Sequence, residues 1–280
     1  MSWLITGGAG MLATDLARRL GPEATALTRA DLDVRDAAAV RELVLARRPD
    51  VVVNCAGWTA VDDAEAREEE ALAVNGHAVR ALAAASAEVG ARFVQISTDY
   101  VLSGVSAGPH PEDAPPAPLN AYGRTKLAGE RAALEHGGYV VRTAWLYGAA
   151  GPNFVRTMIR LAGERETVGV VDDQRGQPTW TADLASQIVR LARSRAEPGV
   201  YHGTSSGQTT WYGLAREVFL LLGVDPDRVR PVSSDAFPRP ARRPAYSVLG
   251  HARWAEAGLP PIRCWREALH AAWPEVSAAT

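Results

Sequence analysis

Residues 3–20 constrain this chain more than any other stretch. Trp3 to Thr6 is a short apolar run leading directly into Gly7, Gly8, Ala9 and Gly10, after which Leu12, Leu16, Ala17 and Leu20 recur at helical spacing. That order is strand, glycine turn, helix. Gly7, Gly10 and Ala13 form the pattern G-x-x-G-x-x-A. The glycines permit a tight turn and close backbone approach to a pyrophosphate, whose charge a helix N-terminus favours. Taken alone, a glycine-rich turn is as readily a plain loop as a site. Placed between a first strand and a first helix, it opens a dinucleotide-binding fold.

The alternation continues for half the chain. Ala24 to Leu27 reads as a second strand ending at Thr28, Arg29, Ala30 and Asp31. An acidic residue there would suit NAD, whereas an Arg can hold the 2′-phosphate of NADP. Arg29 comes first, so NADPH is the expected cofactor, with NADH an alternative through Asp31 or Asp33, which can reach a ribose or the adenine beside Val34. Asp36 caps a helix to about Arg47. Asp50 to Gly57 is a β-branched strand ending in the small residues Cys55, Ala56 and Gly57, which suits a buried parallel strand whose end lies against a flat cofactor. A polar helix from about Asp62 and a second helix from about Val74 to Val89 follow, with Asn75 read as a cap or mild defect. Arg92 to Ile96 is the next strand, running into Ser97, Thr98, Asp99 and Tyr100. Ligands of open parallel sheets bind beyond the carboxyl ends of the strands, so Thr98 and Asp99 sit where chemistry belongs, although both types also favour turns. Ser103 to Pro118 reads as a long surface loop over the cleft.

Length and composition set the outer limits. The chain has 280 residues, enough for one large α/β unit with an appendage. A net charge of -2 argues against nucleic acid as a partner. Cys55 and Cys264 are far apart, without metal-ligand or disulfide spacing, and no His/Cys/carboxylate cluster supports a metal site. The absence of a membrane-length apolar run or a signal-like start points to a cytoplasmic protein.

Tyr122 and Lys126 lie four residues apart in Asn120 to Ala133, on one face of a helix. A cation beside a phenol favours phenolate, making Tyr122 a proton donor for a carbonyl that receives hydride. By themselves the two are ordinary helix residues; the dinucleotide turn and the hydroxyl of Thr98 give them a context.

After the strand Tyr139 to Arg142 the regular alternation gives way to aromatic and glycine-rich turns around Trp145. Asn153 begins a helix to about Ala162, and Thr167 to Val171 is a short strand. Asp172 to Thr179, with Gln174 and Pro178, is a polar loop able to offer amides to a ligand. Trp145 is either core or a ring-stacking contact. Ala182 to Ala192 returns as a flanking helix, Gly199 to His202 is a strand, and Thr210 to Leu222 is an amphipathic packing helix that includes Trp211. His202 reads as structural. Trp254 to Trp273 ends in a last helix. The expected class is α/β: a Rossmann-type doubly wound parallel sheet over 1–145, with 182–203 returning to it, and a smaller C-terminal α/β substrate lobe from 146–181 and 204–280.

With TGGAGMLA, NCAGWTAVDDAE, ISTDYVLSG and YGRTK in order, the chain resembles the extended short-chain dehydrogenase/reductases. The runs RTAWLYGAAGPNFVRTM, VVDDQRGQPTWTADLA and GVYHGTSSGQTTWYGLA narrow the resemblance to the dTDP-4-dehydrorhamnose reductase family of nucleotide-sugar 4-ketoreductases. The likeness covers nearly the whole chain. It implies a catalytic trio of Thr98, Tyr122 and Lys126, with Tyr122 and Lys126 also on the nicotinamide ribose. Gly7, Gly10, Met11 and Leu12 would carry the pyrophosphate. Asp99 and Tyr100 would flank the sugar, with Trp58, Trp145, Asn153, Gln174 and Pro178 completing the substrate contacts. The implied partner is a dTDP-linked 4-keto-6-deoxysugar, and the fold is compatible with a homodimer. Two departures stand out: Ala56-Gly57-Trp58-Thr59 where the family has Ala-Ala-Tyr-Thr, and Arg243-Pro244-Ala245-Tyr246-Ser247 where it has Arg-Pro-x-Asn-Ser.

Two rival readings remain within the fold. A nucleotide-sugar dehydratase or epimerase would place a Glu base where Tyr100 stands, which counts against it. A non-catalytic NADP-binding regulatory subunit has no need of an acid beside a cation.

Overall fold

The computed structural model describes residues 1–278. A parallel six-stranded sheet is its frame. Five of its strands are β1 (Trp3–Thr6), β2 (Ala24–Leu27), β3 (Val51–Asn54), β4 (Arg92–Thr98) and β5 (Tyr139–Thr143); the order is Gly199–His202, β5, β4, β3, β1, β2. β4 runs two residues further than the sequence pattern indicates, because Ser97 and Thr98 still pair with Arg142 and Thr143.

Burial explains the strands. Trp3, Ile5, Val51, Val53 and Val94 face one side, packed by α1 (Met11–Leu20) and a helix at Thr181–Arg193. Leu4, Val52, Phe93 and Val140 face the other, packed by α2 (Ala37–Arg47) and by the helices at Ala78–Glu88 and Ala121–Glu135. Both faces are covered, so the strands read as continuous apolar runs. The helix expected from Val74 is longer and less regular: Glu68–Leu72 passes through one wide π turn at Ala73–His77 before Ala78–Glu88. Such turns gather at functional sites, and this one aims Asn75 inward.

The second half builds its own core. Helices Phe154–Glu164, Trp211–Leu221 and Trp265–Ala278 close over the parallel pair Val168–Val171 and Val229–Val232, burying Met158, Val218, Phe219 and Leu269. The expected boundary needs amending: Trp254 and Ile262, from the 204–280 segment, bury against the main sheet's core. A strap around residues 241–250 ties the halves together. It pairs with Arg175 through Ala245 and Ser247, and with the 103–118 loop through Tyr246 to Gly104 and His110 to Val248. That loop is therefore fastened at two points.

Candidate active site

The start of one helix, Ala121–Glu135, places the candidate pair Tyr122 and Lys126. Asn120 has an extended backbone and its Oδ1 accepts from the Gly123 amide at 2.8 Å, which caps and starts the helix Ala121–Glu135. Gly123 lets that helix approach β4, since a Cβ there would overlap the Tyr100 carbonyl oxygen. Tyr122 and Lys126 then face the end of β4. The Thr98 hydroxyl opposes the effect of burial on the Tyr122 phenol. Thr98 in turn donates to Asp99 Oδ1 at 2.9 Å and accepts the Tyr100 amide at 3.2 Å. The Tyr100 ring stands edge-on to Tyr122, with centroids 5.8 Å apart.

The electrostatics differ from the sequence expectation in one respect. Burial pushes the Tyr122 phenol up to about 12, above its ordinary value rather than below it. The Lys126 Nζ donates to the Ile96 carbonyl at 2.6 Å. Burial pushes Lys126 itself down to about 8, with Glu130 and Cys55 acting in opposition. Asp99 is raised to about 6 by burial, opposed by the neighbouring Ser247 and Thr98 side chains. Three groups with displaced protonation equilibria thus meet at one strand end, the usual mark of a reacting site.

Two adjoining cavities surround this point. One, of about 540 Å³, runs from Met11 and Leu12 past Thr98, Asp99, Tyr100, Tyr122 and Lys126 to Trp145. The other, of about 580 Å³, lies under Gly7 and is bordered by Arg29, Asp33, Val34 and Trp58. Gly10, Cys55, Ala56 and Gly57 line both, so the two share a wall. Trp58, expected at the sugar, stands on the second cavity, braced by Asn75, whose amide accepts from the Trp58 N–H and donates to its carbonyl. Three expected substrate contacts lie outside both cavities. Asn153 caps its helix through the Arg156 amide and donates to Gly148, Gln174 holds Ser234 and the Trp211 indole, and Pro178 is buried.

Sequence reasoning missed several residues. Trp211, read as packing alone, lines the first cavity and stacks on Trp145. Asn75, read as a cap or defect, is a buried brace that also donates to Thr125. Arg35 borders the second cavity and clamps Asp33, holding its carboxyl well below the usual range. A signal was present for Asn75, because a buried amide in the middle of a helix needs partners outside that helix.

The residues fit a dinucleotide. Gly10 caps α1 with no side-chain hydrogen bond and no acidic residue follows in the first turn, leaving the helix's first N–H groups and their partial positive charge to an anion. Gly7 adopts φ +70°, and a Cβ there would lie 2.6 Å from the Ala56 nitrogen, so only glycine closes this turn.

Fold and site together define a Rossmann-type dinucleotide-binding protein with a Thr-Tyr-Lys centre. The family model described as RmlD substrate binding domain matches residues 1–277. A dTDP-4-dehydrorhamnose reductase of Streptomyces griseus is 55% identical over 97% of this chain and 93% of its own. A dTDP-4-keto-6-deoxy-D-glucose reductase of Streptomyces niveus is also 55% identical, over 99% and 98%. The solved dTDP-4-dehydrorhamnose reductase of Bacillus anthracis in complex with NADP is 38% identical and superposes with a TM-score of 0.94, covering 98% of this chain and 100% of that one. The chain belongs to the dTDP-4-dehydrorhamnose reductase family.

Proposed function

We propose that this protein reduces the C4 keto group of a dTDP-4-keto-6-deoxyhexose with NADPH, in deoxysugar biosynthesis in the cytoplasm. The observation that carries the reading is that Thr98, Tyr122 and Lys126 together line the first cavity, which shares Gly10, Cys55, Ala56 and Gly57 with the second. The dinucleotide half comprises 1–145 with 182–203, joined by the segment around Trp254 and Ile262; the rest forms the substrate lobe.

Gly7, Gly10, Met11 and Leu12 hold the pyrophosphate, Asp33 and Val34 the adenosine, and Arg29 the 2′-phosphate. Lys126 and Tyr122 hold the nicotinamide ribose. Bound NADPH supplies the hydride. Thr98 orients the substrate carbonyl by hydrogen bonding, and Tyr122 gives its phenolic proton to the carbonyl oxygen as the C4 centre becomes an alcohol. Lys126, turned from Ile96 toward the ribose, brings its charge near the phenol and offsets the effect of burial. Trp145 and Trp211 form the far wall, against which the nucleotide-sugar packs. Tyr100 occupies the place where a dehydratase would need a carboxylate base, so elimination chemistry lacks its residue.

The test is NADPH consumption with dTDP-4-keto-6-deoxyhexoses, wild type against Tyr122→Phe. The expected result is one NADPH oxidised per alcohol formed, with a loss of about 10²- to 10⁴-fold in the variant. Near-normal turnover by Tyr122→Phe removes the phenol from the mechanism. Intact NADPH binding without turnover of any ketosugar points to a regulatory binder.

A further inference from the structure

Three buried polar residues form a row across the sheet beneath this site, at matching register on neighbouring strands. Thr6 pairs with Asn54 and Asn54 with Gln95, the polar residues that end or interrupt otherwise apolar strands. Each is 1% exposed. They are joined in a single direction: the Thr6 hydroxyl donates to Asn54 Oδ1 at 2.5 Å, Asn54 Nδ2 donates to Gln95 Oε1 at 2.7 Å, and Gln95 Nε2 donates to the Ile96 carbonyl at 2.7 Å. The Ala56 amide, beside the glycine turn, also donates to Asn54 Oδ1, at 3.2 Å. These donors leave each amide one orientation. The chain ends on the carbonyl that receives Lys126 Nζ at 2.6 Å.

We propose that Gln95 is a positioning residue for Lys126, aimed by Asn54 and Thr6 at the Ile96 carbonyl so that the ammonium docks there and leaves without orphaning a buried acceptor. A carbonyl has two lone pairs and accepts both donors. When Lys126 turns to a cofactor ribose, Gln95 keeps Ile96 satisfied, which matters because leaving a buried acceptor without a donor is costly. Sharing also weakens the hold on Lys126, since the amide's partial positive charge lies beside the ammonium. Removing the Gln95 donor therefore tightens the Lys126–Ile96 bond. The other groups facing Lys126 are Tyr122 and Glu130 on its own helix and Cys55 from the end of β3; Arg142 from β5 is paired with Glu130.

The inference rests on the proposed function for the destination of Lys126, and a readout independent of activity is available. Of the 30 basic residues in the sequence all are arginine except Lys126, so lysine labelled with ¹⁵N at Nζ gives one side-chain resonance. Its titration is followed in wild type, Gln95→Met and Gln95→Glu, and NADPH binding is measured by calorimetry on the same proteins. Gln95→Glu keeps the side-chain length and still accepts from Asn54, so it serves if Gln95→Met does not fold. The expected result is an upward shift of the Lys126 titration by at least a few tenths of a pH unit in Gln95→Met, larger in Gln95→Glu, with NADPH affinity weakened about 2- to 12-fold, the range of one net hydrogen bond. Titration curves that coincide with wild type in folded variants overturn the proposal, as does unchanged NADPH affinity in variants where wild type binds. Failure of wild type to bind NADPH would sink the functional reading instead, leaving the titration to decide the contact.

Discussion

Trp145 stacks on Trp211 with ring centroids 3.6 Å apart and planes 11° from parallel. Trp145 holds φ 48°, a left-handed conformation that costs an L-residue about 1–2 kcal/mol. Its ring lies so close over Gly176 that a Cβ there would come within 2.6 Å of it. A strained backbone, a glycine and a second indole thus cooperate to hold one flat wall of the cavity, an arrangement typical of ligand-contacting positions. Trp211→Ala is expected to raise KM for the nucleotide-sugar about 2- to 12-fold, the worth of an aromatic pair, with a smaller change in kcat. An unchanged KM would reduce the stack to packing.

The alkaline limb of kcat/KM reports groups of the free enzyme. Burial brings Lys126 down to about 8, so the ammonium is present below that pH and lost as pH rises through it. Activity is expected to fall with one-proton slope near pH 8. In Lys126→Arg the guanidinium stays charged, and the residual rate is expected to lack that limb. A limb that persists unchanged assigns it to another group.

Cofactor preference should follow Arg29. Asp31 is turned to the Thr28 hydroxyl and amide, and Asp33 is clamped by Arg35, so neither acid is paired with Arg29 at the cavity edge. Arg29→Ala is expected to weaken NADPH binding about 10- to 100-fold, the loss of a charged hydrogen bond, and to leave NADH binding nearly unchanged. Equal loss for both cofactors would place the 2′-phosphate elsewhere.

Arg142 and Glu130 form an ion pair that is 3% and 1% exposed, with Ser97 donating to the same carboxylate. Breaking one side strands a buried charge. Arg142→Met is expected to cost about 3–5 kcal/mol in denaturant melts, and Arg142→Met with Glu130→Leu to recover part of it. Additive losses would mean that the pair is not coupled.

His202 has no solvent exposure, and its Nδ1 faces the Gly250 carbonyl at 2.9 Å, which fixes that nitrogen as the donor. Burial, reinforced by Arg142, pushes its pKa down to about 3. Above its unfolded pKa near 6.5 both states are neutral and nothing is lost. As pH falls below that value the unfolded chain binds a proton that the folded chain refuses, so stability drops by up to about 1.4 kcal/mol per pH unit. His202→Asn, which keeps a donor for Gly250, is expected to flatten the fall in melting temperature between pH 6.5 and 5.

The positions of most strands and of the glycine turn followed from local pattern because apolar runs and glycines act on neighbouring residues. The Tyr122 and Lys126 pair was legible for the same reason, since helical spacing alone puts them on one face. Lys126 carried a second signal in being the single lysine among arginines, a position where an always-charged, forked guanidinium cannot stand in for a compact ammonium. Asn153 and Gln174 show the limit of local pattern, because a polar residue in a loop looks the same in sequence whether it meets a ligand or bonds within the protein; here both make protein hydrogen bonds.

By itself, then, the sequence determined the order of elements, the dinucleotide turn and the residues able to move a proton, all properties of short stretches. Tertiary structure alone decided that Trp211 faces Trp145 across 66 positions of chain. It also decided that Asn75 braces Trp58, that Thr6, Asn54 and Gln95 line up, and that Lys126 rests on the Ile96 carbonyl. Those depend on how separate strands and helices pack, because contacts between distant segments and the burial that shifts their protonation exist only once the sheet and the lobe have closed.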